Sequence, residues 1–279
     1  MTQHITVVAQ GGLCNRLRVV LSALRFSEET GCSVRVEWAK IAECYADFNE
    51  LFEPLDNNKF SITSRHWWNT PVERRNLHLP ALIRLPLYNK QIKNYHPQRH
   101  PALSHLCASH DRIYLSTGYA LMPYPQEMAQ RLQPTAELRQ RIKQITKQFA
   151  AKMIGVHIRR TDNAVSINES PFECFVQAMR QELDKDCNTA FYVATDDIAV
   201  RNLLIKEYPQ RIHFQQIENC VRSTVDGIKD AVVDLYCLAQ TDKIIGSYWS
   251  SFSDAAAEIG GIPLCIARRE TSEIPCCPQ

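Results

Sequence analysis

The chain has 279 residues, 45% hydrophobic and 22% charged, with a formal net charge of +2. Such values suit one large globular domain or two of about 130 residues and exclude a disordered chain. The near-neutral balance argues against a protein whose main work is gripping nucleic acid, which needs a basic excess or stripe; a diphosphate needs only one or two well-placed arginines.

No basic segment followed by an apolar run opens the chain, and no stretch nears the roughly 18 apolar residues of a membrane span. The expectation is a cytoplasmic protein with no transmembrane segment. The 11 cysteines are scattered without CxxC spacing and read as reduced, apolar fillers. Adjacent Cys276 and Cys277 have poor geometry for zinc, and no metal site is expected.

In chain order, Ile5 to Ala9 reads as a buried strand that Gln10-Gly11-Gly12 breaks. Asn15 to Glu29 carries apolar residues at helical spacing (Leu17, Val20, Leu21, Leu24), and Gly31 stops that helix. Cys32 to Trp38 reads as a second strand, so the chain opens like a doubly wound α/β domain. Residues 47–101 show no regular pattern. They hold Trp67 and Trp68, which read as core before sugar platform, and a basic scatter of Arg65, Arg74, Arg75, Arg84 and Lys90. Gln126 to Gln148 reads as a helix, and the boundary between domains 1–135 and 136–279 is placed there.

In the second half, strands over 153–158, 190–194, 212–215, 243–246 and 263–267 alternate with helices over 171–183, 230–240, 253–259 and one that Asp196 N-caps and that runs to Glu207. This alternation implies a parallel sheet. Two such α/β halves facing each other would leave a cleft between their strand ends.

Chemistry concentrates where strands end. In Gly155-Val-His-Ile-Arg-Arg-Thr-Asp162 an apolar strand stops at two arginines, and in open α/β sheets ligands bind beyond the carboxyl ends of strands. Adjacent residues on extended backbone point to opposite sides. One arginine can then face a ligand while the other lies against a carboxylate, for which Asp162 is the candidate; the alternative is a solvated basic turn, which the strand-end setting disfavours. A guanidinium fork suits a phosphate. Asp234 sits in a helix that is apolar nearly all round, so it needs a partner: a structural salt bridge or two N–H groups of a guanine edge. Gly246-Ser-Tyr-Trp-Ser-Ser-Phe-Ser253 leads from a strand into a small-residue helix, the arrangement of a phosphate cradle and equally of simple serine N-capping. Gln10-Gly-Gly-Leu-Cys-Asn-Arg16 is neither GxGxxG nor a P-loop. Its Asn15 and Arg16 either cap the helix or reach a ligand.

Together these motifs resemble the superfamily of α-1,2-, α-1,6- and protein O-fucosyltransferases. His157-Ile-Arg-Arg-Thr-Asp162 looks like the HxRRxD motif of the α-1,6 and nodulation-type branch. Phe191-Tyr-Val-Ala-Thr-Asp-Asp197 looks like its YLATDD segment, and Asp230 through Glu258 like its final block, including the spacing from Asp242 to Glu258. Gly11-Gly-Leu-Cys-Asn-Arg16 is similar to the GGLxNR/NQ opening. The resemblance covers residues 150–262 well, the first 30 in part and the middle hardly at all.

The resemblance implies a GT-B architecture: two facing Rossmann-like domains with parallel sheets and a cleft, the first on the acceptor side and the second binding a nucleotide sugar. It implies an inverting transferase that moves fucose from GDP-fucose to a glycan or lipid-linked saccharide, with no essential metal or other cofactor. Arg159 would hold the β-phosphate and act in catalysis, His157 and Asp234 would recognise guanine, and Ser250, Ser251 and Phe252 would contact the diphosphate. Gly12, Asn15, Arg16, Arg160 and Asp196 would complete the donor site. A bacterial-type cytoplasm is the expected location, with peripheral attachment to the inner membrane left open. The sequence departs from the branch after HxRRxD: Asn163 stands at the lysine position and Ile167 at that of the proposed base, so Glu169, two residues on, becomes the candidate base. Asp196-Asp197 reads as a strand end and helix cap in preference to a metal motif. The same fold could take another nucleotide sugar, or the chain could be a non-catalytic GDP- or glycan-binding homologue.

Overall fold

The computed structural model describes residues 3–55, 57–64, 79–161, 163–216 and 222–269. Arg65, Trp67, Trp68, Arg74, Arg75, Asp162, Cys276 and Cys277, all singled out above, lie outside the described residues. The chain divides into two compact units, Met1–Arg139 with Asn219–Val232, and Gln140–Glu218 with Val233–Gln279.

The first part of the chain forms β1 (His4–Ala9), α1 (Leu13–Thr30), β2 (Ser33–Trp38), α2 (Phe48–Leu51), β3 (Phe60–Ser64), α3 (Ala81–Leu87), β4 (Lys90–Ile92), α4 (Leu103–Ser109), β5 (Arg112–Thr117), α5 (Gln126–Gln130) and α6 (Ala136–Thr146). Its strands pair in parallel in the order β3-β2-β1-β5-β4. Helix α1 buries Leu17, Val20, Leu21 and Leu24 and ends where Gly31 turns left-handed at φ 71°, its N–H bonding Ser27 O, as the sequence indicates.

Two expectations fail here. The stretch 47–101 contains α2, β3, α3 and β4; β4 has only three residues and β3 alternates with serine and threonine, so neither shows an apolar run. The helix expected over 126–148 is two, α5 and α6, separated by Pro134, which has no N–H to continue a helix.

The second part forms β6 (Met153–Ile158), α7 (Ala164–Glu169), α8 (Phe172–Lys185), β7 (Ala190–Thr195), α9 (Ile198–Glu207), β8 (Ile212–His213), α10 (Val225–Leu238), β9 (Lys243–Ser247), α11 (Ser251–Gly260) and β10 (Leu264–Ala267). Its strands, also parallel, run in the order β10-β9-β6-β7-β8. On one face Ile154, Val156 and Ile158 pack with Phe175, Met179, Phe191, Val193 and Leu204. On the other, glycines let helices approach: a Cβ at Gly155 would lie 2.8 Å from Thr241 Oγ1 and 3.0 Å from Leu238 Cδ2, and one at Gly246 would lie 2.6 Å from Ser253 Oγ. The cap of α9 is Asp197, which accepts from the N–H groups of Ala199 at 2.8 Å and Val200 at 3.4 Å. Asp196, expected there, stands one residue too early.

Each sheet reverses its strand order beside its first strand. The switch points fall between β1 and β5 in one sheet and between β6 and β9 in the other. Loops leaving two such strands diverge to opposite faces and open a crevice outside their carboxyl ends. The glycine turn after β1 and the arginine pair after β6 lie at these two points.

Candidate functional site

At the β6/β9 switch point, His157 is in register with Gly246. The hydroxyl of Ser247 donates to His157 O at 3.0 Å and accepts from Arg159 N at 3.0 Å. The strand end that carries the arginines is thereby tied to the start of the serine-rich turn. The His157 ring is buried. Its Nδ1 shares a 2.8 Å hydrogen bond with Ser253 Oγ, and it stacks on Phe252 with centroids 4.7 Å apart and an interplanar angle of 29°. These two contacts fix the plane and orientation of the imidazole.

Alternation sends adjacent residues of an extended chain to opposite sides. Arg160 turns over Phe175, 5.7 Å from the ring centroid. Burial lowers its pKa, opposed by the carboxylates of Glu173, Asp196 and Asp197. Its NH2 is buried with no hydrogen-bond partner among the described residues. Arg160 thus braces the sheet against α8, while alternation carries Arg159 to the side of His157. Asp196 is engaged at the strand end: its Oδ1 accepts from Arg160 N and its Oδ2 from Thr161 Oγ1, both at 2.7 Å. It shapes the turn that presents Arg159.

Ser250 does not act as a side-chain cap. It stands at the N-cap of α11 but makes no side-chain capping bond. It is 2% exposed, and its Oγ has no hydrogen-bond partner among the described residues. A buried hydroxyl left unsatisfied costs about 1–3 kcal/mol, and here it lies beside the unpaired N–H groups that begin a helix. An anion at the head of α11 would satisfy both. Ser251 and Phe252 follow in the first turn.

Asp234 meets Tyr192, whose hydroxyl donates to Oδ1 at 2.6 Å. Burial, and then the Asp234 carboxylate, hold the Tyr192 phenol well above its ordinary pKa, so it stays a donor. Tyr192 is opposite Gly155 and so shares the sheet face of His157.

The loop after β6 is laced to the loop after β9. Asn163 caps α7 through Ser166 N at 3.1 Å and donates to Trp249 O at 3.3 Å. Ser170 Oγ accepts from Tyr248 N at 2.8 Å. Glu169 accepts two bonds from Arg268, at 2.9 and 2.7 Å, and that guanidinium lies 4.5 Å from the Tyr248 ring centroid. At the tip stands Trp249, 73% exposed and left-handed at φ 51°. For a bulky residue that backbone region is an outlier, of the kind that gathers at functional sites.

In the first unit, Gly11 adopts φ 82°, and a Cβ there would lie 2.9 Å from Asn15 Nδ2. Gly12 is the N-cap of α1 and Asn15 is half-buried in its first turn. Arg16 does not reach a ligand. It is fully enclosed: its Nε donates to Gly11 O at 2.8 Å, its NH1 to Ala39 O at 2.6 Å, and its guanidinium lies 5.2 Å from the Trp38 ring. Burial lowers its pKa, opposed by Cys44 and Glu43. It ties the glycine turn to the chain after β2.

Ser247, Ser253, Tyr192 and Trp249 are parts of the site that sequence reasoning did not single out. Among the described residues no group of three or more His, Cys, Asp or Glu could hold a metal ion. No helix among them is long and apolar enough to cross a membrane.

No family model and no curated protein matches the chain. Solved structures do. The α-1,6-fucosyltransferase NodZ soaked with GDP-fucose aligns over 93% of this chain and 93% of its own, with a TM-score of 0.63 and 16% identity. Fucosyltransferase NodZ from Bradyrhizobium aligns over 92% and 93%, with 0.59 and 17%. POFUT1 in complex with GDP aligns over 95% and 98%, with 0.56 and 12%. The shared architecture is the GT-B type, two parallel five-stranded sheets covered by helices.

Proposed function

We propose that the chain is an inverting glycosyltransferase that moves fucose from GDP-fucose to a glycan or lipid-linked saccharide. The carrying observation is Ser250, a buried hydroxyl with no partner among the described residues at the head of α11, beside the strand end that bears Arg159. In this reading the diphosphate lies over the α11 N-terminus, against Ser250, Ser251 and Phe252, with Arg159 on the β-phosphate. His157, held by Ser253 and Phe252, and Asp234, held by Tyr192, read the guanine. The first unit serves the acceptor.

The acceptor oxygen attacks the anomeric carbon opposite the leaving group, and the bond to the β-phosphate oxygen breaks with its electron pair passing to GDP. Negative charge grows on the departing diphosphate, and preorganised donors aimed there lower the barrier by a few kcal/mol each, about 3 kcal/mol for a strong one. Arg159 and the α11 N–H groups supply them from the protein itself. Glu169, its carboxylate held by Arg268, is the proposed acceptor of the hydroxyl proton.

Release of the nucleoside diphosphate from GDP-fucose, GDP-mannose and UDP-sugars tests this. Release from GDP-fucose alone is expected. Preference for another sugar would move the reading to a different transferase on the same fold, which the altered loop 163–170 allows. Binding of every GDP-sugar with no turnover would mark a non-catalytic homologue.

Asp234→Asn is expected to narrow the preference for GDP over UDP by about tenfold, the size of losing one charge-assisted hydrogen bond, with diphosphate binding kept. An unchanged GDP/UDP ratio of dissociation constants would remove Asp234 from base recognition. Trp249 presents a flat, amphipathic ring of the kind that stacks on a sugar face. Trp249→Ala should raise the acceptor KM several-fold, on the order of 1 kcal/mol, and leave GDP affinity alone; an unchanged KM would return Trp249 to a purely structural part.

A further inference from the structure

We infer that the outer face of α3 is a membrane-contact surface that seats the first unit on an anionic lipid bilayer. A helix covering a sheet ordinarily turns its apolar stripe inward and its polar residues outward; α3 does the reverse. Of its seven residues Arg84 alone is buried. Its guanidinium lies 5.5 Å from the Tyr114 ring centroid, with Nε donating to Leu79 O at 2.8 Å and NH1 to Gln91 Oε1 at 2.7 Å. The layer beneath is closed without the side chains of α3: the Tyr88 and Tyr114 rings pack 4.6 Å apart with Val8 and Leu79, the Tyr88 and Thr6 hydroxyls lie 3.1 Å apart, and Leu79 N donates to Tyr114 OH at 3.2 Å. The inner face is therefore satisfied by polar bonds, and all four large apolar side chains point outward, with Leu82 86%, Leu85 66%, Ile83 47% and Leu87 47% exposed.

The inversion has a physical reason only if something apolar lies outside. Four side chains on a seven-residue helix supply well under the ~800 Å² per partner of a stable protein pair, but they match the shallow insertion of an interfacial helix. The charges beside them fit the same occupant. Leu87 lines one groove together with Arg35, Lys59 and Arg112. Lys59 and Arg112 are exposed, and Asn89 ties Arg112 to the end of α3, with Asn89 N donating to Arg112 O at 3.0 Å and Arg112 N to Asn89 Oδ1 at 3.2 Å. The carboxylates nearby are engaged: Glu37 is buried and paired with Arg35 at 2.9 Å, and Asp111 accepts from the Asn89 amide. Apolar side chains flanked by cations are the pattern that inserts between acyl chains while meeting anionic headgroups. The inference is independent of the proposed reaction.

Flotation of the full chain on vesicles of equimolar phosphatidylcholine and phosphatidylglycerol tests it. The protein should float with these vesicles, stay down with phosphatidylcholine alone, and release as salt rises. The variant Leu82→Glu/Leu85→Glu should bind at least about tenfold less with an unchanged thermal melt, since both residues are exposed and carry none of the fold. No flotation on the anionic vesicles would overturn the inference, as would a double variant that floats like the parent. A lipid-free dimer that the same variant dissolves would overturn it in favour of a second copy of this chain.

Discussion

Replacing Arg159 with alanine is expected to lower transfer by about two to three orders of magnitude, the loss that follows removal of one preorganised donor to developing negative charge. Backbone anchoring should survive, because the Ser247 bond is made by Arg159 N and not by its side chain. The melting transition should therefore stay near that of the parent while kcat collapses. Arg159→Lys should recover only part, since a single ammonium cannot present two parallel N–H groups to a phosphate. Arg160→Ala is the contrasting control. Its side chain lies over Phe175 on the opposite face, so its loss should reach stability before chemistry. Near-parental turnover in folded Arg159→Ala would remove the arginine from the reaction.

Arg16→Ala should destabilise the protein by about 2–4 kcal/mol, because it strips the donors from one buried and one part-buried carbonyl and leaves a cavity. Those carbonyls are Gly11 O and Ala39 O. Denaturant unfolding would show the loss as a lower midpoint. Under conditions where the variant is folded, its affinity for GDP should equal that of the parent. The paired measurement separates a brace from a ligand: a weakened GDP affinity with an unchanged midpoint would restore Arg16 to the donor site.

What the sequence disclosed follows from where signals are continuous. Strand β6 is uniformly buried and ends at charged residues, so its place could be read from the sequence, and alternation accounts for Arg160 turning over Phe175. Strand β5 was passed over because Ser116 and Thr117 close its short apolar stretch, although Tyr114 packs with Val8 in the core. The roles of Asp196 and Asp197 differ by a single residue at a strand end, below what capping preferences resolve. Arg16 looked like a ligand because an arginine after a glycine turn has the same sequence signature whether it faces outward or is swallowed by the core. Ser253 and Ser250 look alike in the serine run. Only the close approach permitted by Gly246 brings Ser253 to His157 and leaves the Ser250 hydroxyl without a partner among the described residues.

The proposed function requires that the β6/β9 switch point take a guanosine diphosphate using protein groups alone. Calorimetric titration of the purified protein with GDP, GMP and UDP in the presence of EDTA addresses it directly. GDP is expected to bind with EDTA present, with GMP weaker if Arg159 holds the β-phosphate and UDP weaker if His157 and Asp234 read the base. No binding of GDP, or GMP binding as tightly as GDP, would contradict the proposal.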